Sequence, residues 1–470
     1  MASQAANFEI RNSKFGWRTP AMRWGVCFVL MLGLRSGGVD AQQARTTEKS
    51  SVVQVTEWVK GAAIPLAGMD PSNDLTDMER LDAMVGDARI VAMGEATHGT
   101  REFFQLKHRM LEYLVEKKGF TILGIEANWP ESLAINDYVV NEVGDAQSAL
   151  DGLYFWTWNT EEVLDLLHWM RKYNEDPAHT KKVKFFGFDG QIARLAATNV
   201  MNYLAKVDPE EAKNAAKIFE PVSDLKKEKE AAKKSEVFWE RQEDKLLAIE
   251  NKFVSHKAAY VKASSEKEWT MAQHNLEITR QAAEIYSFKQ KGNVSTRDRA
   301  MAKNVRWILE QEGPEAKIML WAHNGHVSAG QLGGGASMGN QLRQMYGKDM
   351  VVCGFSFDEG SFQALEKGRG LRQFTVGPAS GDTLDGVLAA TGIPLFAVDL
   401  RSAPADSAVA KWLESPQRMR SVGALYSENA RDGGFVEVKP RDFDVLFFVQ
   451  KTSAAHENPK GAESETHGSR

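Results

Sequence analysis

Four short apolar runs in this chain each end on an ionisable side chain, and that arrangement restricts the fold more than any other feature. Ile90-Val91-Ala92-Met93 leads into Gly94-Glu95-Ala96-Thr97-His98-Gly99, and Thr121 to Ile125 leads into Glu126. Val183 to Phe188 leads into Asp189, and Lys317 to Trp321 into Ala322-His323-Asn324-Gly325-His326. Apolar runs this short, bounded by polar turns, read as buried strands. After the first run, Phe103, Leu106, Met110 and Leu114 recur at helical spacing behind Thr100 as N-cap, with Glu102 in the first turn. Lys117 and Lys118 suit the helix end, and Gly119 is placed for a left-handed cap. Strand, helix and strand in succession imply parallel pairing through a right-handed crossover. Val351 to Phe357, Leu395 to Leu400 and Phe443 to Val449 are further strand candidates; Glu161–Tyr173, Ile192–Ala205 and Arg299–Glu312 are helical stretches. The expected class is α/β, a mostly parallel sheet flanked by helices.

One region breaks this alternation. Val222 to Gln290 holds no proline or glycine and is rich in Lys, Glu and Ala, which predicts long antiparallel helices inserted into the α/β core. The organisation expected is a leader over residues 1–41, a first core part over 42–204, the helical insertion over 205–295, a second core part over 296–452 and a disordered tail over 453–470. The leader follows from Arg18 and Arg23 ahead of the apolar run Gly25 to Leu34, then small residues up to Val39-Asp40-Ala41-Gln42, the order of a secretory signal peptide. Export to the periplasm or medium is the expectation, with no membrane span once the leader is removed. With 58 basic against 63 acidic side chains there is no electrostatic footprint for nucleic acid. Cys27 and Cys353 cannot build a disulfide framework.

In an open parallel sheet the functional crevice lies beyond the carboxyl ends of the strands. Glu95, His98, Glu126, Asp189, His323 and His326 should therefore meet on one edge. Each has a plainer reading: Glu126 and Asp189 as caps of the following helices, His323 as a core histidine. His98, between Thr97 and Gly99, has no apolar periodicity around it and is the strongest candidate. His108, His168, His256 and His274 fall on helical stretches and receive no chemistry; His456 and His467 fall in the tail. Gly335-Ala336-Ser337-Met338-Gly339 matches the nucleophile-elbow pattern, but a glycine loop precedes it where that motif needs a strand. The Gly330 to Gly339 stretch reads instead as a flap beside His326.

Gly94-Glu95-Ala96-Thr97-His98-Gly99-Thr100-Arg101-Glu102-Phe103-Phe104, Gly119-Phe120 through Glu126, and Trp321-Ala322-His323-Asn324-Gly325-His326 closely resemble the erythromycin esterase family. Phe186-Gly187-Phe188-Asp189, Arg297-Asp298 through Met301, and Met338 through Gly347 with Gly354-Phe355 follow in that family's order, from about Val52 to Gln450. The resemblance implies hydrolysis of a lactone ester by water that His98 activates, without a metal or cofactor, with Glu95, Glu126, His323 and His326 as the surrounding polar groups. It implies Lys107, Asp189 and Arg297 as substrate-binding positions, although Lys107 stands where arginine is found in characterised members and lacks its bidentate reach. Trp156 and Trp158, in the cluster Tyr154-Phe155-Trp156-Thr157-Trp158, are candidates for the apolar wall of a large lactone, with core packing as the alternative. Histidine suits the chemistry because it alone titrates near neutrality unperturbed. The rival expectation is an exported, non-catalytic protein holding a haem or metal-bearing compound on the same residues.

Overall fold

The computed structural model describes residues 51–458 apart from 72–73, 232, 290–294, 333 and 430–432. The expected leader lies outside the described residues, as does the end of the expected tail. The main sheet consists of β1 (Ile64–Pro65), β2 (Ile90–Met93), β3 (Ile122–Asn128), β4 (Lys184–Asp189), β5 (Ile318–Trp321), β6 (Met350–Glu366), β7 (Gly370–Val376), β8 (Leu395–Asp399) and β9 (Val445–Thr452). Its order is β1-β8-β9-β6-β2-β5-β3-β4, with β7 paired to the outer half of β6. From β9 to β4 every neighbour is parallel. β1, β8 and β7 join antiparallel and make the sheet mixed at one side.

The helices that matter below are α1 (Arg101–Lys118), α2 (Trp129–Asn141), α3 (Glu161–Glu175), α4 (Arg194–Val207), α5 (Glu236–Ser255), α6 (Glu266–Lys289), α7 (Ser295–Glu312) and α8 (Met338–Tyr346). Adjacent strand residues point to opposite faces. Leu123 accordingly joins Phe103 and Met110 of α1 and Leu166 and Met170 of α3. Ile122 joins Val305 and Ile308 of α7 and Leu342 of α8 on the other face. A third cluster, with Leu204, Leu246, Phe253 and Leu276, is made by α4, α5 and α6 among themselves. Of these, α5 and α6 fall in the stretch read from sequence as an insertion, whereas α4 lies almost wholly before it. Gln281 and Asn304 exchange side-chain hydrogen bonds of 2.9 Å, and Asn304 Nδ2 reaches the Phe188 carbonyl at 3.0 Å, tying α6 through α7 to the end of β4.

Gly119 ends α1 in the left-handed conformation (φ 72°, ψ 28°), with its N–H on the Leu114 carbonyl, the geometry glycine adopts without a Cβ penalty. One expectation needs correction. The tail does not begin at residue 453: Ser453 to Asn458 continue from β9 along the loops before α1 and α3, bonded to both. The Gly330 to Gly339 stretch is built as a hairpin, Gln331–Leu332 on Gly335–Ala336, leading into α8. Gly339 lies so close to the Val327 carbonyl that a Cβ there would collide with it.

Candidate active site

The parallel register sets the site level. Met93 of β2 pairs with Trp321 of β5, and Trp321 with Ile125 of β3. The residues just beyond, Glu95, His323 and Glu126, thus leave the sheet side by side. β3 also carries a bulge between Ile125 and Asn128, the kind of irregularity that re-aims a side chain at a strand end. Asn324, just after β5, reaches past β2 to β6: its Nδ2 donates to the Phe355 carbonyl (2.7 Å) and its Oδ1 accepts from the Phe355 N–H (3.0 Å). A Cβ on residue 94 would collide with that Oδ1, so the turn out of β2 requires Gly94.

Glu95 is fully buried and accepts three hydrogen bonds, from His98 Nδ1 (2.7 Å), Lys107 Nζ (2.5 Å) and Trp321 Nε1 (2.7 Å). Burial opposes its charge, but the Lys107 ammonium and His98 outweigh it and hold the carboxyl below its ordinary value. Burial in turn brings Lys107 down to about 8 against the pull of Glu95. Because the carboxylate can only accept, His98 Nδ1 donates to it and Nε2 is left as the basic nitrogen. The His98 ring lies 5.0 Å from that of His323, centroid to centroid. His323 Nδ1 accepts the Gly325 backbone N–H at 3.2 Å, so in the neutral ring the proton is on Nε2, which is buried without a hydrogen-bond partner. Burial, followed by the neighbouring His98 and His326, pushes His323 down to about 3.

Beside this group stands a second one built of fixed charge. Arg297, at the start of α7, donates through Nε (3.1 Å) and Nη2 (2.6 Å) to Asp189 Oδ2 and through Nη2 to Glu126 Oε1 (2.7 Å). Glu126 Oε2 accepts the His323 backbone N–H at 3.1 Å. His326 places Nδ1 2.9 Å from Asp298 Oδ1 and Nε2 3.3 Å from Glu126 Oε1. Burial works against its charge, but Asp298 and Glu126 prevail and raise it to about 10. Arg297 Nη1 approaches His326 Nε2 at 3.2 Å, a contact of two cations offset by the carboxylates of Glu126, Asp189 and Asp298. Burial again opposes, and His326 and Arg297 together hold Glu126 well below the usual carboxylate range.

The structure therefore brings Glu95, His98, Glu126, Asp189, Arg297, His323 and His326 together. Lys107 is brought to the site from beneath: it is fully buried, its ammonium on Glu95 and 4.5 Å over the Trp321 ring, so it touches Glu95 instead of offering itself to a substrate. Trp158 packs in the core against Phe104 and Trp321, with Nε1 on the Glu126 carbonyl (3.2 Å), and forms the underside of the site. Trp156 is half-buried on the same turn. Ser337 is buried, donates to the Ser328 carbonyl at 2.6 Å and caps α8, which leaves it no nucleophilic role. Two members escaped sequence reasoning, Trp321 and Asp298. Trp321 fell inside an apolar run, and Asp298 is adjacent to Arg297 without a spacing that singles it out. Among the described residues, no three His, Cys, Asp or Glu side chains are grouped to hold a metal ion.

An open, mostly parallel sheet with a histidine–carboxylate pair and a caged arginine at its carboxyl edge defines the class, an α/β protein with imidazoles and carboxylates gathered where its strands end. The chain belongs to the erythromycin esterase family, whose model matches residues 115–452. It is 27% identical over 378 residues to "Putative hydrolase YbfO" of Bacillus subtilis (strain 168), covering 73% of this chain and 80% of that protein. It is 23% identical over 430 residues to erythromycin esterase type II of Escherichia coli, covering 85% and 98%. The fold is shared with a solved Bacillus cereus protein (TM-score 0.76, 26% identity, 86% of this chain and 99% of that one). It is shared also with a histidine-to-asparagine mutant of the erythromycin esterase EreC in its open conformation (TM-score 0.65, 17% identity, 83% and 97%).

Proposed function

We propose that this family member hydrolyses the ester bond of a macrolide-like lactone with water activated by His98. The observation that carries the reading is the bond from His98 Nδ1 to buried Glu95, because it fixes the ring and its tautomer and leaves Nε2 to receive a proton. Water attacks the carbonyl carbon while its proton passes to Nε2. The developing oxyanion accepts from Nε2–H of His323, a buried donor with no other use. Collapse breaks the bond to the alkoxy oxygen, and His98 returns the proton to that oxygen, restoring the base. Arg297, the most accessible cation of the crevice, supports substrate polar groups, with Asp189 and Glu126 fixing its plane. The expected leader would take this activity outside the cytoplasm. The test is mass spectrometry of erythromycin incubated with the purified protein. A product heavier by one water supports the reading; unchanged erythromycin together with uncleaved chromogenic esters overturns it.

A further inference from the structure

The loop that carries His98 is closed from outside the sheet by the segment that follows β9. The Gly99 carbonyl accepts from Ala455 N–H (3.0 Å) and from Gln363 N–H of β6 (2.9 Å), and Arg101 N–H bonds the Ser453 carbonyl at 3.0 Å. Thr100 and Ala454 form an antiparallel bridge. The segment is clipped down by two buried carboxylates. Glu102 of α1 takes Ser453 twice, accepting its N–H on Oε2 (2.7 Å) and its hydroxyl on Oε1 (2.6 Å). Glu162 of α3 accepts the His456 N–H at 3.2 Å, and Asn458 N–H bonds the Asn159 carbonyl at 3.2 Å.

A carboxylate in the first turn of a helix ordinarily serves the helix's own free N–H groups. Glu102 instead spends both oxygens on a residue 351 positions away. The beneficiary is the backbone on either side of Gly99, next to His98. On the other flank of the same loop, the Ala96 carbonyl accepts from Val422 N–H at 2.7 Å. The base is therefore gripped from both sides by late-sequence backbone, and each grip has a buried carboxylate behind it, Glu102 on Ser453 and Asp385 on the Arg420 N–H (2.8 Å).

We infer that Glu102 is a positioning residue for the reaction: through Ser453 it presses residues 453–458 onto the His98 loop and fixes where Nε2 stands. The inference rests on the proposed hydrolysis. Misplacing a base by a fraction of an ångström affects the chemical step more than binding. In the full-length protein, Glu102→Ala should lower kcat for a cleaved ester about tenfold with KM unchanged, and Glu102→Gln, which keeps one acceptor oxygen, should recover most of it. Equal kcat in Glu102→Ala, or a loss that tracks the folded fraction, overturns the inference. If Glu102→Ala does not fold, Ser453→Ala removes only the hydroxyl clip and should lower kcat about threefold, with no change again counting against the idea. The His98 Nδ1–H proton resonance gives a reading independent of turnover. It should broaden or shift in Glu102→Ala and return in Glu102→Gln; an unmoved signal overturns the positioning role even if the parent cleaves no ester.

Discussion

Two histidines three residues apart are held in opposite charge states on the two sides of one crevice. His323 faces a backbone N–H and two other imidazoles and is pushed down to about 3; His326 faces Asp298 and Glu126 and is raised to about 10. Both rings are partly buried, so burial alone does not separate them; the partners do. On the His98 side, one carboxylate is shared by an imidazole, an ammonium and an indole, and the imidazoles are left with an unspent basic nitrogen and an unspent N–H. On the His326 side, the arginine and both ring nitrogens are occupied. In the proposed hydrolysis the first side moves the proton, while the second is a set of paired charges around Arg297.

His98→Ala tests that division most severely. Turnover should fall by about 10²–10⁴-fold while the melting temperature stays near the parent's, since His98 stands on a loop and fills no core space. Retained kcat in the folded variant would leave the first side without a task. Glu95→Gln should injure both chemistry and fold, because it leaves the Lys107 ammonium buried and unpaired, at a cost of about 3–5 kcal/mol. Adding Lys107→Met should return most of the stability and none of the turnover, measured by denaturant unfolding and ester assay. Recovery of both would show Glu95 to be structural only.

The second side predicts a pH slope. His326 binds its proton up to about 10 in the folded chain against an ordinary 6.5, so the folded state holds a proton that the unfolded state releases between those values. The stability it contributes is whole below about 6.5 and is lost as the pH rises towards 10. His326→Gln should flatten that part of the stability curve, and an unaltered slope would remove the fixed charge from the comparison. The smallest expected effect is none: dialysis against a strong chelator, with metal loss verified by elemental analysis, should leave ester cleavage intact. Activity lost and restored by zinc would make His98 a ligand and merge the two sides.

Much of this was legible because apolar runs and their terminal ionisable residues are local signals. β2 to β5 and the meeting of His98, Glu126, Asp189 and His323 follow from them. The strand read as Val351 to Phe357 continues to Glu366, and that part escaped because Asp358 to Ser361 breaks the apolar run and its support is β7, an antiparallel partner. Lys107, which the resemblance implies as a substrate-binding position, is buried on Glu95, and its neighbours His108 and Arg109 on α1 are buried too. Their cover comes from elsewhere in the chain, Arg109 for instance from Asp77 and the Asp74 carbonyl. Periodicity within a helix cannot report a lid contributed by another segment.

The strap from Ser453 to Asn458 has a meaning in the order in which the protein is made. His98 is synthesised early, and the backbone that closes its loop comes after the last strand of the sheet. The sheet's central strands can all be in place while the Gly99 carbonyl has only its bond from Gln363 and still lacks the one from Ala455. A growing chain, or one cut short after Thr452, thus has the proposed catalytic residues and lacks the segment that bonds Gly99 and Arg101. On the proposed hydrolysis, activity then waits on residues made after the last strand of the sheet.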